Sequence, residues 1–101
     1  MWILRASGAD PASALVFRLR PGHVKTAGRS SPADFVMDAP LVSRFHCRFT
    51  VGQDGTVEVQ DLDSTNGTWV NGERVERATL AEGAVVRVGR VELTLERYAQ
   101  S

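Results

Sequence analysis

Hydrophobic and polar residues alternate along most of the chain. Residues 14–20, ALVFRLR, put Leu15, Phe17 and Leu19 on one side of an extended backbone and Val16, Arg18 and Arg20 on the other. In CRFTV, Cys47, Phe49 and Val51 oppose Arg48 and Thr50. In TVEVQDL, Val57 and Val59 alternate with Glu58 and Gln60. In VELTLER, Val91, Leu93 and Leu95 alternate with Glu92, Thr94 and Glu96. A period of two is the pattern of half-buried strands. The shorter runs WIL, HVKTA, DFVM, TWV, ERV and AVVRV fit as further strands between them. The separators are turn chemistry: Pro21-Gly22, Gly28, Ser31-Pro32, Gly52 to Gly55, Asn66-Gly67, Asn71-Gly72 and Glu82-Gly83.

A helical period never survives long before a Gly or Pro. The nearest candidate is DPASALVFRLR, where Asp10 is a fitting cap and Pro11 a fitting first helical residue. Its strict alternation and its β-branched and aromatic content favour a strand instead. Many short strands at close spacing predict an all-β sandwich or barrel. No repeat, low-complexity tract or linker divides residues 1–101, so a single domain is expected.

Composition narrows the function. The chain is 43% hydrophobic, which supports a packed core, and its formal net charge is zero, which disfavours a broad nucleic-acid or membrane surface. Aromatic residues are few and scattered, which weighs further against a nucleic-acid-binding barrel. The basic residues are arginines except Lys25, and arginine is the better residue for two-pronged recognition of carboxylate or phosphate. One cysteine, Cys47, and two distant histidines, His23 and His46, offer neither a disulfide framework nor metal-ligand spacing, so no metal and no cofactor are expected. The apolar run at the start, MWIL, is too short for a signal peptide, and nothing approaches transmembrane length. The expected setting is cytoplasmic.

Candidate chemistry sits between the strands. Gly28-Arg29-Ser30 ends one strand, Ser43, Arg44 and His46 precede another, and Ser64, Thr65, Asn66 and Thr68 crowd the first of two Asn-Gly pairs. Guanidinium groups, hydroxyls, a side-chain amide and turn N–H groups are what an oxyanion such as phosphate requires. The acid–base pair that most catalysis needs is lacking. Ser43 with His46 as a small hydrolase, or His46 with Cys47 as a nucleophilic pair, is disfavoured: no acid orients the histidine, and alternation sends His46 and Cys47 to opposite faces. Cys47 reads as a small core residue, and Asp54, Asp61 and Asp63 as carboxylates that solvate or cap turns. Ser64 fits either a ligand contact or the turn's own hydrogen bonds.

In this order (Gly28-Arg29, then Ser43-Arg44-Phe45-His46, then Ser64-Thr65-Asn66-Gly67-Thr68, then Asn71-Gly72 and the run LAEGAVVRVG) the motifs resemble those of the forkhead-associated (FHA) domain. The resemblance runs from about Val24 to Leu95 and shows no departure at the motif positions. It implies a β-sandwich of about eleven short, mostly antiparallel strands in two sheets, whose loops at one end bind phosphothreonine peptides. By position, Arg29 resembles the phosphate-binding arginine and Ser43 a serine that hydrogen-bonds the phosphate. Arg44 matches a position that assists, Thr65 a further phosphate contact, and Asn66 the asparagine that grips the peptide backbone. Gly28, His46, Gly67 and Asn71 match residues that keep the loops in shape. The implied partner is a phosphothreonine-containing protein, the product of a Ser/Thr protein kinase.

Elementary energetics fit those roles. Each charge-assisted hydrogen bond nets roughly 1.5–3 kcal/mol. Several of them, less ordering costs, give micromolar affinity, about 8 kcal/mol. Tight turns would fix Thr65 and Asn66 before binding, and Trp69 is expected to anchor its hairpin in the core. A module of the same fold that assembles by a sheet face, without phosphate, is the alternative.

Overall fold

The computed structural model describes residues 1–7 and 15–98. Ala14, at the head of one expected strand, and the cap candidates Asp10 and Pro11 lie outside the described residues. Eleven strands follow in order: β1 (Trp2–Ser7), β2 (Val16–Leu19), β3 (Val24–Gly28), β4 (Phe35–Val36), β5 (Cys47–Val51), β6 (Val57–Asp61), β7 (Thr68–Val70), β8 (Glu73–Val75), β9 (Arg77–Leu80), β10 (Val85–Val88) and β11 (Val91–Arg97). They form one sheet ordered β2-β1-β11-β10-β7-β8 and a second ordered β4-β3-β5-β6-β9. All pairings are antiparallel except the two-residue contact of β4 with β3.

Burial follows the alternation. Cys47, Phe49 and Val51 of β5, Val57 and Val59 of β6, and Val91, Leu93 and Leu95 of β11 face inward and are buried. Leu4, Leu19, Met37 and Val86 complete the layer between the sheets. Burying each such aliphatic side chain stabilises the fold by about 1.5–3 kcal/mol. Phe17 of β2 stacks on Phe35 of β4 with centroids 4.5 Å apart, and Phe35 tilts against Phe49 at 6.4 Å. The edge strands of the two sheets are thereby joined along one side of the sandwich. Among the described residues no helix is long and apolar enough to cross a membrane.

The sequence pattern misses one strand. β9 carries only Ala78 and Leu80 as apolar residues, and a single residue, Glu76, separates it from β8 with no turn chemistry between them. The two strands nevertheless belong to different sheets, and Glu76 O accepts a hydrogen bond from Asp61 N (2.8 Å) as the chain crosses over.

Trp69 departs from its expected place. It is half-buried, because the inward positions of β7 belong to Thr68 and Val70. The outward tryptophan instead carries the Arg87 guanidinium, 4.7 Å from its ring centroid.

Asn71 and Gly72 form the two-residue β7–β8 turn, both with positive φ (50° and 87°), the conformation that suits a right-twisted hairpin. Asn71 also bonds to β10: its N–H donates to Val85 O and its Oδ1 accepts from Val85 N–H, each at 2.9 Å. Asn71→Ala removes the side-chain bond and places alanine in left-handed backbone. The expected loss is about 1–2 kcal/mol, a fall in Tm of roughly 4–15 °C for a domain of this size, read by thermal denaturation.

Candidate functional site

Register decides where the loops go. Ala27 pairs with Cys47 and Cys47 with Asp61, so the end of β3, the start of β5 and the end of β6 lie side by side. The β3–β4, β4–β5 and β6–β7 loops therefore emerge from one end of the sandwich. Val88 pairs with Thr68, which brings the β10–β11 turn at Gly89 to the same end.

Between these loops lies an open cleft of about 320 Å³ lined by Arg29, Leu41, Val42, Ser43, Arg44, Thr65 and Asn66. All five residues expected to contact a ligand are thus brought together. The lining contains no carboxylate, and among the described residues neither Arg29 nor Arg44 has an ion-pair partner within 4 Å. A second cleft of about 450 Å³ is lined by Gln60, Asp61, Leu62, Asp63 and Glu76; its three carboxylates give it the wrong sign for an anion. Among the described residues, no group of three His, Cys, Asp or Glu side chains is placed to hold a metal ion.

The cleft is braced from within. Arg29 N–H donates to Ser43 O (3.0 Å), joining the first loop to the second. Thr65 N–H donates to Ser43 Oγ (3.1 Å), joining the third to the second. A hydroxyl has one proton, so a Ser43 oxygen that already accepts from Thr65 keeps that proton to donate. Asn66 Nδ2 donates to Leu41 O (3.1 Å), which leaves its second amide hydrogen for a ligand.

His46 is fully buried behind this surface. Its Nδ1 accepts from Ser43 N–H (3.0 Å), so the ring proton resides on Nε2, which donates to Gly67 O at 2.7 Å. With both nitrogens committed to backbone, the imidazole is a brace. Burial also pushes the Cys47 thiol well above its ordinary pKa, which removes it as a nucleophile.

Two residues of the site depend on backbone geometry. A Cβ placed on Gly28 would lie 1.9 Å from Arg44 O, so only glycine lets the second loop close over the end of β3. Leu41 adopts φ of 70°, an uncommon state for a branched residue, which costs about 1–2 kcal/mol. The Asn66 bond on one side and close packing on Gly89 on the other hold it there. Leu41 and Val42 as lining residues were invisible in the sequence, because nothing in LVS marks a left-handed turn.

Asp61 organises the third loop. It accepts hydrogen bonds from Ser64 N–H and Oγ–H and from Thr68 Oγ–H (2.8 Å), while Ser64 Oγ accepts from Gly67 N–H at 2.9 Å. Ser64, left open between ligand contact and turn filler, is therefore a buried turn residue. Partial burial of Asp61 acts to raise its pKa, but the Ser64 and Thr68 hydrogen bonds outweigh it and hold the carboxyl below the usual 3.8. Asn71 is the one loop-shaping residue away from the cleft: it sits at the far end of β7, at the β7–β8 turn.

Two predictions test this framework. Gly28→Ala forces the second loop off β3. It is expected to cost more than about 2 kcal/mol by chemical denaturation, whereas Gly72→Ala, which meets nothing within 4 Å, loses only what positive φ costs. Because the folded pKa of Asp61 lies below its unfolded value, its stabilisation is complete above about pH 4 and is lost as pH falls through the folded pKa. Asp61→Asn should therefore destabilise the protein at pH 7, with the gap from wild type narrowing below pH 4, as read from urea midpoints across pH.

Residues 25–89 match the sequence profile of the FHA domain. The glycogen accumulation regulator GarA of Mycolicibacterium smegmatis is 41% identical over 68 residues, covering 67% of this chain and 42% of that protein. The ABC transporter ATP-binding/permease protein Rv1747 of Mycobacterium tuberculosis is 42% identical over 79 residues, covering 78% of this chain and 9% of that protein. The chain thus spans less than half the length of these curated relatives. Among solved structures, one from a structural and functional analysis of phosphothreonine-dependent FHA domain interactions superposes with a TM-score of 0.84 at 31% identity, covering 98% of each chain. The FhaA FHA domain complexed with the intracellular domain of Rv3910 superposes with a TM-score of 0.82 at 32% identity, covering 95% of this chain and all of that one. Sequence profile, register and loop architecture agree: the chain belongs to the FHA domain family.

Proposed function

We propose that this chain is a non-catalytic binding module that recruits partners after a Ser/Thr protein kinase has phosphorylated them on threonine. The observation that carries the reading is the convergence of Arg29, Ser43 and Thr65 from three loops on one cleft free of carboxylates. Arg29 supplies the guanidinium fork for a phosphate dianion, and Ser43 the hydroxyl proton left over after its Oγ accepts from Thr65. Arg44 and Thr65 complete the shell, and Asn66 uses its remaining amide hydrogen on the peptide backbone. In this reading residues 1–101 act as a single domain with no cofactor, in the cytoplasm. The FHA relatives whose structures concern phosphothreonine-dependent interactions support the assignment.

The direct test is fluorescence anisotropy with a library of phosphothreonine peptides and their unphosphorylated twins. Micromolar binding of phosphorylated members alone is expected. Equal binding of both sets contradicts the reading and favours a phosphate-independent assembly module. Arg29→Ala should weaken phosphopeptide binding by at least about tenfold, the loss of one charge-assisted hydrogen bond. Its side chain is exposed, so Tm should move little; a large drop would instead make Arg29 a structural residue.

A further inference from the structure

The two-residue turn at Asn71-Gly72 sets Trp69 of β7 opposite Arg74 of β8, and β10 sets Arg87 opposite Trp69 on the other side. Thr68, Val70, Val86 and Val88 occupy the inward positions of β7 and β10, so Arg74, Trp69 and Arg87 form one row across the outer face. The row begins at the rim of the cleft. A Cβ built on Gly67 would lie 2.6 Å from Arg74 Nε, so the Arg74 guanidinium rests on the residue that follows Asn66. Trp69 Nε1 donates to Asn66 O itself (3.2 Å).

The two arginines of the row make no close ion pair. Among the described residues neither Arg74 nor Arg87 has an ion-pair partner within 4 Å; the pairs present are Arg5–Glu96 and Arg77–Glu58. Glu92 is the cross-strand neighbour of Arg87 on β11, yet the Arg87 guanidinium lies over the Trp69 ring. Both arginines are exposed, so the row offers two guanidinium groups to solvent, with Glu92 as the one acidic residue at its β11 end.

We propose that the Arg74–Trp69–Arg87 row is a second docking surface, which takes acidic side chains of the same phosphorylated partner a few residues from its phosphothreonine. The proposal rests on the phosphothreonine reading of the cleft and adds a selectivity to it. Charge complementarity names the occupant. An arginine fork accepts a carboxylate through two hydrogen bonds, and stacking on indole holds the Arg87 guanidinium in place before binding. Reach is adequate: an extended peptide advances about 3.3–3.6 Å per residue, and neighbouring strands lie about 4.8 Å apart. Aspartate or glutamate about two to five residues from the phosphothreonine therefore falls over the row. The contacts are exposed, so they tune partner choice and steer encounter, and salt weakens them.

The test uses one phosphothreonine peptide core flanked on both sides by Asp, by Ala or by Lys. Anisotropy titrations are run at low and high salt on wild type, on Arg74→Gln/Arg87→Gln and on Arg74→Glu/Arg87→Glu. Wild type is expected to bind the Asp-flanked peptide about three- to tenfold tighter than the Ala-flanked one at low salt, with the ratio falling at high salt. The glutamine variant brings that ratio to about one, and the glutamate variant inverts it in favour of Lys, an outcome a damaged fold does not produce. An Asp-to-Ala ratio that is the same in wild type and both variants overturns this proposal while leaving phosphothreonine binding intact. Equal binding of the Ala-flanked phosphopeptide and its unphosphorylated twin overturns the phosphothreonine reading, and this selectivity with it.

Discussion

A single buried imidazole joins the two sides of the cleft. His46 takes the Ser43 N–H on one ring nitrogen and gives the other nitrogen's proton to Gly67 O, so the loop before β5 and the loop before β7 cannot move independently. Leu62 N–H closes the link from the other side by donating to His46 O (2.9 Å). Losing the ring would leave a backbone donor and a backbone acceptor unsatisfied next to the core, at about 1–3 kcal/mol apiece. Neither exposed ion pair among the described residues matches that, since such pairs contribute about 1 kcal/mol or less. The geometry of the cleft thus depends on a residue that does not line it.

This bracing bears on affinity as much as on shape. An anion that must order its own loops loses part of each hydrogen bond to entropy. Here the loops are already tied, with Arg29 N–H on Ser43 O, Thr65 N–H on Ser43 Oγ, and the third loop gathered on Asp61. The exposed side chains of Arg29, Arg44 and Thr65, which make no side-chain hydrogen bond among the described residues, are left to settle. The two Asn-Gly pairs divide the labour: Gly67 carries positive φ beside the cleft, and Asn71-Gly72 turns the chain so that β8 can cover the outer flank.

Much of this architecture was legible in the sequence, for identifiable reasons. Strands with a strict period of two, such as Cys47–Val51 and Val91–Arg97, appear with the bounds their alternation marks. Polar groups concentrated at strand ends marked Arg29, Ser43, Arg44, Thr65 and Asn66 together with Ser30, His46, Ser64 and Thr68, and it was the resemblance to the FHA motifs that singled out these five. What escaped depends on long-range contacts. β9 is too short and too polar to show a period, and it is a strand because β6 offers it an open edge. Trp69 was expected inside because it is large and apolar, yet a three-residue strand has only two inward positions, and Thr68 and Val70 hold them. The role of Asp61 required knowing that Ser64 and Thr68 fold back onto it. Arg74 was within reach of sequence reasoning, since a two-residue turn fixes its partner as Trp69.

Whether the cradle is rigid before phosphate enters it can be read from a crystal structure of this chain with a bound phosphothreonine peptide. Phosphate oxygens are expected within about 3.2 Å of the Arg29 guanidinium, Ser43 Oγ and Thr65, with the backbone of the three loops and both His46 hydrogen bonds where they stand now. A phosphate seated elsewhere, or loops that refold around it with His46 released, would mean that the cradle is not preformed.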